Sequence, residues 1–189
     1  MKIGIVGGSF DPPHFGHLNL AEEAKRRLGL DRIYFVPAGQ PPHKSPEDLS
    51  PPFLRYRMTR LAVRNRPGLE VSDIEIRRPP PSYSVDTIRE FRRQFPYPHE
   101  IFFIIGADSL QTIKSWKDLN LILEMCCFVA ASRPDYDALP FPSGIRKLQI
   151  DDLDISASEI RRRIKTDQDV SECVPYKVLQ LIEKERLYR

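Results

Sequence analysis

Two histidines three residues apart follow a short apolar run and a pair of glycines. The run Lys2–Val6 is typical of a buried strand, and the segment Gly7–His17 joins it to a helix with apolar positions from Leu18 onward. His14 and His17 start that helix on the same side, and His17 is expected to be exposed. Imidazoles, the amides beside glycines and a helix N-terminus attract anions, so this pattern predicts a phosphate site.

Two other interpretations of the segment stay open from the sequence. The glycines can belong to an ordinary turn that carries two surface histidines. Alternatively, Asp11, His14 and His17 can be ligands of a metal ion, although the sequence offers no second clear cluster of ligands. The segment is neither G-x-G-x-x-G nor a Walker A loop, which argues against a dinucleotide oxidoreductase and a P-loop nucleotidase.

A second group of polar residues lies in the segment Ile155–Ile164. Ser156 and Glu159 fit a capping box at the start of a helix, which explains this serine structurally. Arg161 follows Ser158 by three positions, so both side chains can point at one ligand. Because the helix dipole disfavours a cation in the first turn, an arginine there indicates a bound polyphosphate, with a solvated basic face as the alternative.

The elements that must position these residues alternate along the chain between strand-like apolar runs and helical periodicity. This alternation predicts an α/β fold, a Rossmann-like doubly wound parallel sheet with helices on both faces. Residues 1–189 are expected to form a single domain, on which helices over 158–165 and 175–185 pack. In such sheets the ligand lies outside the carboxyl ends of the strands, so residues that follow strands are the candidates.

Two local expectations bear on the surroundings of the site. The segment Glu70–Ile76 is expected to be a strand, and the proline-rich segment Arg78–Ser82 a rigid loop. A helix is expected over Phe53–Arg64, with an apolar face that is formed by Leu54, Met58, Leu61 and Ala62.

The composition bounds the class of protein. Of 189 residues, 41% are apolar and 29% are charged, which excludes intrinsic disorder and collagen-like repeats. The apolar runs are far shorter than the ~20 residues of a membrane helix, and none near the start is long enough for a signal peptide. Three cysteines without disulfide or zinc spacing favour a cytoplasmic location. A net charge of +3 suits an anionic ligand without indicating nucleic acid.

The motifs resemble those of the bacterial nicotinate-nucleotide adenylyltransferases, which carry an H-x-G-H and an I-S-S/T-x-x-I-R type signature. Here the two signatures correspond to Gly7–His17 and Ile155–Arg161. The similarity covers nearly the whole chain, and its segments are highly specific in this order. Besides the two signatures it rests on Pro41–Lys44, Pro81–Thr87, Phe103–Ser109, Trp116, Ser132–Pro134, Val174–Pro175 and Leu187–Tyr188.

The resemblance implies adenylyl transfer from ATP to nicotinate mononucleotide, which gives nicotinate adenine dinucleotide and pyrophosphate in NAD biosynthesis. The implied partners are these two nucleotides, without nucleic acid or membrane, and a homo-oligomer is left open. The implied cofactor is Mg²⁺, bound mainly through the ATP phosphates, with no metal site formed by the protein. A phosphate monoester carries about −1.5 to −2 charges at neutral pH and needs no general base. Alignment and charge neutralisation should therefore carry the reaction.

The resemblance also assigns roles to individual residues. His14, His17 and Arg161 would be the catalytic groups at the triphosphate. ATP would be bound by Gly8, Ser9, Phe10, Gly106, Asp108 and Ser158. The mononucleotide would be bound by a phosphate-contacting Lys44, by Ser84 and Val85 at a helix start that receives the carboxylate, and by Trp116 stacked on the pyridine ring.

Several of these residues also have a plainer explanation. Lys44 can be an ordinary loop lysine, Trp116 a core anchor, and Asp108 a helix cap. Ser82 or Ser84 can simply cap the helix that begins near residue 84.

The sequence departs from the family pattern in places, and other functions are weighed against it. Lys117 stands where an aromatic residue is common, and Ala157 stands in a pair that is usually more hydroxylated. Phosphopantetheine adenylyltransferases and cytidylyltransferases share H-x-G-H but would not explain Trp116. A regulatory module without turnover conflicts with intact signatures, and a synthetase-like fragment acting on RNA would need a K-M-S-K-S loop that the sequence lacks.

Overall fold

The computed structural model describes residues 1–132, 142–150 and 155–189. In the described residues, six strands form one parallel sheet in the order β3-β2-β1-β4-β5-β6. This is the strand order of a doubly wound sheet, so the predicted α/β fold is confirmed. The strands are β1 (Lys2–Gly8), β2 (Arg32–Pro37), β3 (Leu69–Val71), β4 (Glu100–Gly106), β5 (Cys127–Ser132) and β6 (Ile145–Gln149).

Helices connect the strands and complete the chain. They are α1 (Phe15–Leu28), α2 (Pro52–Val63), α3 (Ile74–Arg77), α4 (Ser84–Gln94), α5 (Leu119–Met125), α6 (Ala157–Lys165) and α7 (Tyr176–Lys184). Two 3₁₀ segments lie at Pro46–Asp48 and Ala107–Ser115. Within the part of the chain that the structure describes, no helix combines the length and apolarity needed to cross a membrane.

The strands direct alternate side chains into two apolar cores. Val6 of β1 belongs to the core built with α1, α2, α6 and α7, whereas its neighbour Ile5 belongs to the core built with α4 and α5. In β4, Ile104 faces the first core and Phe103 the second. Helices therefore cover both faces of the sheet, as the alternation predicts.

The predicted strand over Glu70–Ile76 is wrong beyond its first residues. Strand pairing ends where the N–H of Ser72 donates to the carbonyl of Phe35 over 2.9 Å. The carbonyl of Asp73 then accepts from the N–H groups of residues 76 and 77, which form helix α3 instead. Because β3 pairs only with β2 at the sheet edge, the chain is free to turn away after one short stretch.

The buried face of helix α2 also differs from the predicted one. Met58 and Ala62 are buried as expected, but Leu54 and Leu61 are only partly covered. Arg55, three positions before Met58, is fully buried although it is charged. The side chain of this arginine contacts the stretches that follow β1 and β2.

Candidate functional site

The strand order reverses between β1 and β4, and both strands end in glycine. Their pairing ends at Val6 and Ile104, and Gly8 and Gly106 each lie two residues beyond that last pair. A Cβ placed on Gly106 would meet no heavy atom of the surrounding structure within 4 Å, so the space beside it is open. Ligands of doubly wound sheets bind at such a reversal.

A cavity of about 570 Å³ opens beside this edge. Two larger grooves, of about 810 and 710 Å³, lie around the loop Arg64–Leu69 at the amino end of β3. Because ligands bind at the carboxyl ends of strands, the smaller cavity is the candidate site. Five residues predicted from the sequence line it, namely Gly8, Ser9, Lys44, Ser84 and Trp116.

The two histidines form a compact pair at the start of α1. Their rings stack with centroids 3.7 Å apart, and the main-chain N–H of His14 donates to Nδ1 of His17 over 3.2 Å. Because Nδ1 accepts this bond, a neutral His17 carries its proton on Nε2, where it can serve a ligand. The expectation of an exposed His17 is wrong, because its ring packs edge-on against Phe10 and is partly buried. His14 is only 6% exposed.

Burial also sets the charge of this pair. It lowers the pKa of His14 to about 4. The pKa of His17 is held well below its usual value, first by burial and then by the proximity of His14. Both rings are therefore neutral near pH 7 without a ligand, and a bound phosphate would favour their protonation.

The side chains of two predicted binding residues, Phe10 and Val85, are buried. Phe10 has a left-handed backbone (φ 49°) that turns its ring over Gly8 and against Phe35, so the ring belongs to the core and does not line the cleft. The side chain of Val85 is also fully buried. For both residues, the main chain is the part that can contact a ligand.

The second signature meets the first through one hydrogen bond. Nη1 of Arg161 donates to the main-chain oxygen of Asp11 over 2.8 Å. Since a guanidinium has five N–H donors, donors remain for a phosphate. The exposed hydroxyl of Ser158 lies 2.7 Å from that of Ser156, which caps α6 by accepting the N–H of Glu159. The structure thus joins Arg161 to the histidine motif.

The next two arginines of α6 have different surroundings. Arg162 is exposed and pairs with Glu159 over 2.6 Å. Arg163 contacts Glu172 at 3.1 Å and donates to the main-chain oxygen of Asp169. A solvated basic face therefore describes Arg162, whereas Arg163 ties α6 to the segment that follows it.

Lys44 lies in the cavity wall at the end of a tight turn. Its N–H donates to the carbonyl of Pro41, and its own carbonyl accepts from the side chain of Gln40 at 2.6 Å. Partial burial and then the charge of Arg161 lower the pKa of Lys44. The two cations are therefore near enough to influence each other's charge.

Trp116 combines both of its predicted explanations. One side packs edge-on against Phe103 and Phe128, with ring centroids 6.1 and 5.9 Å away, while the residue also lines the cavity. The neighbouring Lys117, which departs from the family pattern, places its Nζ 4.4 Å from the ring centre of Tyr83 in the same wall. The pocket therefore has an aromatic face and a positive charge.

Helix α4 begins at the cavity without a serine cap. Tyr83 is the residue before the helix and forms no side-chain cap, while Ser82 instead accepts the N–H of Gln40 over 3.2 Å. The alternative that Ser82 or Ser84 caps this helix is therefore wrong. The first N–H groups of a helix have no partner within it, so those of Ser84 and Val85 are suited to an anion.

Sequence reasoning missed Arg55, which is fully buried beside the site. Its Nε, Nη1 and Nη2 donate to the main-chain oxygens of Ser50, Ser9 and Gly39, each over 2.8 Å. The spacing of Arg55 to Met58, which places both on the apolar stripe of α2, was the available signal.

Glu75 was missed as well, because it was assigned to a strand. Its carboxyl is buried, accepts the hydroxyl of Thr87 over 2.5 Å and lines the cavity. Burial raises the pKa of this carboxyl. A Cβ on Gly39 would lie 2.4 Å from the carbonyl oxygen of Glu75, so the loop after β2 is in direct contact with helix α3.

Two predictions have separate outcomes. Asp108 belongs to the 3₁₀ segment, but its side chain lies outside the described part of the structure, so its role stays a prediction. In the metal alternative, Asp11 would join the histidines. Its side-chain oxygens instead accept hydrogen bonds from Ser50 and Tyr188.

Comparisons with known proteins agree with this geometry. Residues 5–163 match the cytidylyltransferase-like family model. A Thermus thermophilus protein named "probable nicotinate-nucleotide adenylyltransferase" is 47% identical, with all of both chains covered. A Desulfitobacterium hafniense protein of the same name is 38% identical over all of this chain and 96% of its own. The chain belongs to the nicotinate-nucleotide adenylyltransferase family. The resemblance seen in the motifs is thereby confirmed.

Solved structures match this adenylyltransferase in fold. The nicotinic acid mononucleotide adenylyltransferase of Plasmodium falciparum, complexed with NaAD, superposes with a TM-score of 0.81 at 21% identity. The match covers 99% of this chain and 97% of that one. The same Plasmodium protein complexed with APC has a TM-score of 0.77 at 22% identity, over 99% and 96% of the two chains. At these identities the likeness supports the fold alone.

The first prediction for this adenylyltransferase concerns Arg55. Arg55→Met leaves three partly buried main-chain oxygens without donors and removes a buried charge from its partners, so the free energy of unfolding should fall by about 3 kcal/mol. Urea unfolding measures this. Arg60→Met on the exposed side of α2 is the matched control and should change it by about 0.5 kcal/mol or less. Equal, small losses in both variants would contradict the buried clamp.

The second prediction concerns the pH dependence of stability. In the folded protein the pKa of His14 is about 4, whereas in the unfolded chain it is 6.5. As the pH falls from 6.5 towards 4, the unfolded chain takes up a proton that folded His14 does not, so the free energy of unfolding falls. Between pH 7 and pH 4.5, ligand-free wild type should lose about 2 kcal/mol more than His14→Gln. Urea unfolding at a series of pH values tests this. Parallel profiles for the two proteins would contradict it.

Proposed function

We propose that the protein transfers the adenylyl group of ATP to nicotinate mononucleotide, giving nicotinate adenine dinucleotide and pyrophosphate in NAD biosynthesis. The observation that carries this proposal is the pair of unlike sides at the reversal of strand order. One side is the motif of His14, His17 and Arg161, which offers donors to phosphates and follows the cavity residues Gly8 and Ser9 in the chain. The other side is the cavity itself, with the aromatic face and cations that a pyridine mononucleotide requires.

The reaction needs two anions in line. An oxygen of the mononucleotide phosphate attacks the α-phosphorus of ATP, a new P–O bond forms, and the bond to the bridging β-phosphate oxygen breaks. The electrons leave with pyrophosphate. The attacking phosphate is already ionised, so the protein's tasks are alignment and stabilisation of charge.

The triphosphate is assigned to the motif side. Nε2–H of His17 and the free donors of Arg161 would contact the phosphates, with His14 and Ser158 beside them. The main chain of Gly8, Ser9 and Phe10 would line the nucleotide cleft. Gly106 and Asp108 at the end of β4 would contact the ribose or adenine.

Mg²⁺ is proposed as a partner of ATP. Residues 1–132, 142–150 and 155–189 contain no group of three or more histidine, cysteine or acidic side chains placed to hold a metal. Mg²⁺ takes phosphate oxygens and water as ligands, so the ATP phosphates would hold it. The metal would then neutralise charge on the leaving pyrophosphate.

The mononucleotide is assigned to the cavity wall. Lys44 would contact its phosphate, and Trp116 would stack on the pyridine ring. The N–H groups of Ser84 and Val85 at the start of α4 would receive the carboxylate. Lys117 adds a positive charge to that wall.

The third prediction is a preference for nicotinate over nicotinamide mononucleotide. An amide would point N–H donors at the main-chain donors of α4, at a cost of about 1–3 kcal/mol for each one left unpaired. The ratio of kcat/KM should therefore be about tenfold to several hundredfold. Pyrophosphate release with ATP and Mg²⁺ is measured for both mononucleotides, phosphopantetheine and glycerol phosphate.

A ratio near one, or one favouring the amide, would overturn the nicotinate assignment and leave adenylyl transfer standing. Release only with phosphopantetheine would overturn the substrate class. Trp116→Ala serves as the control, because stacking acts on both rings. It should raise KM for both mononucleotides and leave their ratio nearly unchanged.

The fourth prediction compares neighbouring arginines of α6. Arg161→Ala removes a charged donor from the triphosphate and should lower kcat/KM for ATP by about 10²–10³-fold. Arg162→Ala, which loses one exposed ion pair with Glu159, should stay within about twofold. Steady-state kinetics at saturating nicotinate mononucleotide test this. Similar losses in both variants would refute the role assigned to Arg161.

A further inference from the structure

Asp11 is the meeting point of three distant parts of the chain. It is 2% exposed, and each of its three oxygens accepts a hydrogen bond. Oδ1 accepts the hydroxyl of Tyr188 over 2.5 Å, and Oδ2 accepts the N–H of Ser50 over 3.0 Å. The main-chain oxygen accepts Nη1 of Arg161 over 2.8 Å. One residue therefore receives donors from segments 39, 150 and 177 positions away.

Two of these donors belong to segments that are assigned to different substrates. Ser50 ends the loop that carries Lys44, which is assigned to the mononucleotide phosphate. Arg161 is assigned to the triphosphate. Asp11 itself lies three residues before His14, at the entrance to α1. A displacement of Asp11 would reach both substrates at once.

Tyr188 is the donor that belongs to neither side. It follows α7, packs against the core of α1, α2, α6 and α7, and places its hydroxyl 3.9 Å from Sδ of Met58. Burial raises its pKa, so the hydroxyl keeps its proton and stays a donor. Its backbone is left-handed (φ 67°), a conformation that is rare for aromatic residues and must be held by surrounding contacts.

We propose that Tyr188 is a positioning residue, which pins the side chain of Asp11 and thereby holds Arg161 and the Lys44 loop in register for adenylyl transfer. This inference rests on the proposed function. Two donors hold the side chain of Asp11, so they fix the position of the residue and of the carbonyl that anchors Arg161. Loss of the Tyr188 hydroxyl leaves Ser50 as the one donor to that side chain among the described residues. Asp11 and its carbonyl can then shift.

The test removes one oxygen atom. Tyr188→Phe keeps the ring and deletes only the donor to Asp11. Tyr176→Phe is the matched control, because Tyr176 lies at the start of α7 and is 71% exposed. Among the described residues, its hydroxyl accepts a hydrogen bond from Gln180 of the same helix. Tyr188→Phe should lower kcat/KM for ATP by about tenfold or more, since small misplacements of a catalytic group are costly. Tyr176→Phe should stay within about twofold.

A double-mutant cycle separates positioning from general stability. If Tyr188 acts through Arg161, then Tyr188→Phe should cost less than about twofold when added to Arg161→Ala. Loss of the same factor in both backgrounds would overturn the proposal. Tyr188→Phe within twofold of wild type would also overturn it. If this variant is unfolded by circular dichroism, Asp11→Asn replaces it in the cycle, because an amide can accept only one of the two side-chain bonds.

ATP binding without the second nucleotide tests the positioning role of Tyr188 separately from the proposed function. Calorimetric titration with ATP and Mg²⁺ should show a Kd about tenfold weaker for Tyr188→Phe than for Tyr176→Phe. Wild type that binds ATP but forms no dinucleotide would refute the proposed function while leaving this comparison intact. Equal ATP affinity in the two variants would refute the positioning role alone.

Discussion

A guanidinium that is shut off from water needs acceptors on every side, and this requirement organises the edge of the sheet. Arg55 meets it with the main-chain oxygens of Ser9, Gly39 and Ser50, which belong to the stretches that follow β1 and β2. Those stretches form much of the cavity wall. One helix residue thus gives irregular backbone the rigidity that strands and helices obtain from their own hydrogen bonds.

The charges of the site depend on how close its cationic side chains lie to one another and on the burial of its histidines. Arg161 and Lys44 are near enough that the first lowers the pKa of the second, so further fixed cations would repel them. The buried pair of His14 and His17 avoids that repulsion, because burial lowers the pKa of both rings and keeps them neutral near pH 7. Neutral imidazoles still donate hydrogen bonds. The arrangement therefore supplies donors to a triphosphate without a standing excess of positive charge.

The sequence was sufficient for the sheet, its helical layers and the motif positions, because strand periodicity and the rule for strand ends are local signals. It was insufficient for Arg55, since a charged residue is expected at the surface even when its spacing matches an apolar stripe. No sequence pattern indicates the left-handed backbone of Phe10 that buries its ring. The bond between Asp11 and Tyr188 spans 177 positions and only folding brings the two together.

Trp116 has a consequence for observation as well as for binding. It is the single tryptophan of the chain, and it stands with one side in the core and the other in the cavity wall. The indole emission of this protein therefore comes from one place. Because no second indole adds background, a change in emission reports directly on what lies against that wall. The fold carries its own optical reporter of pocket occupancy.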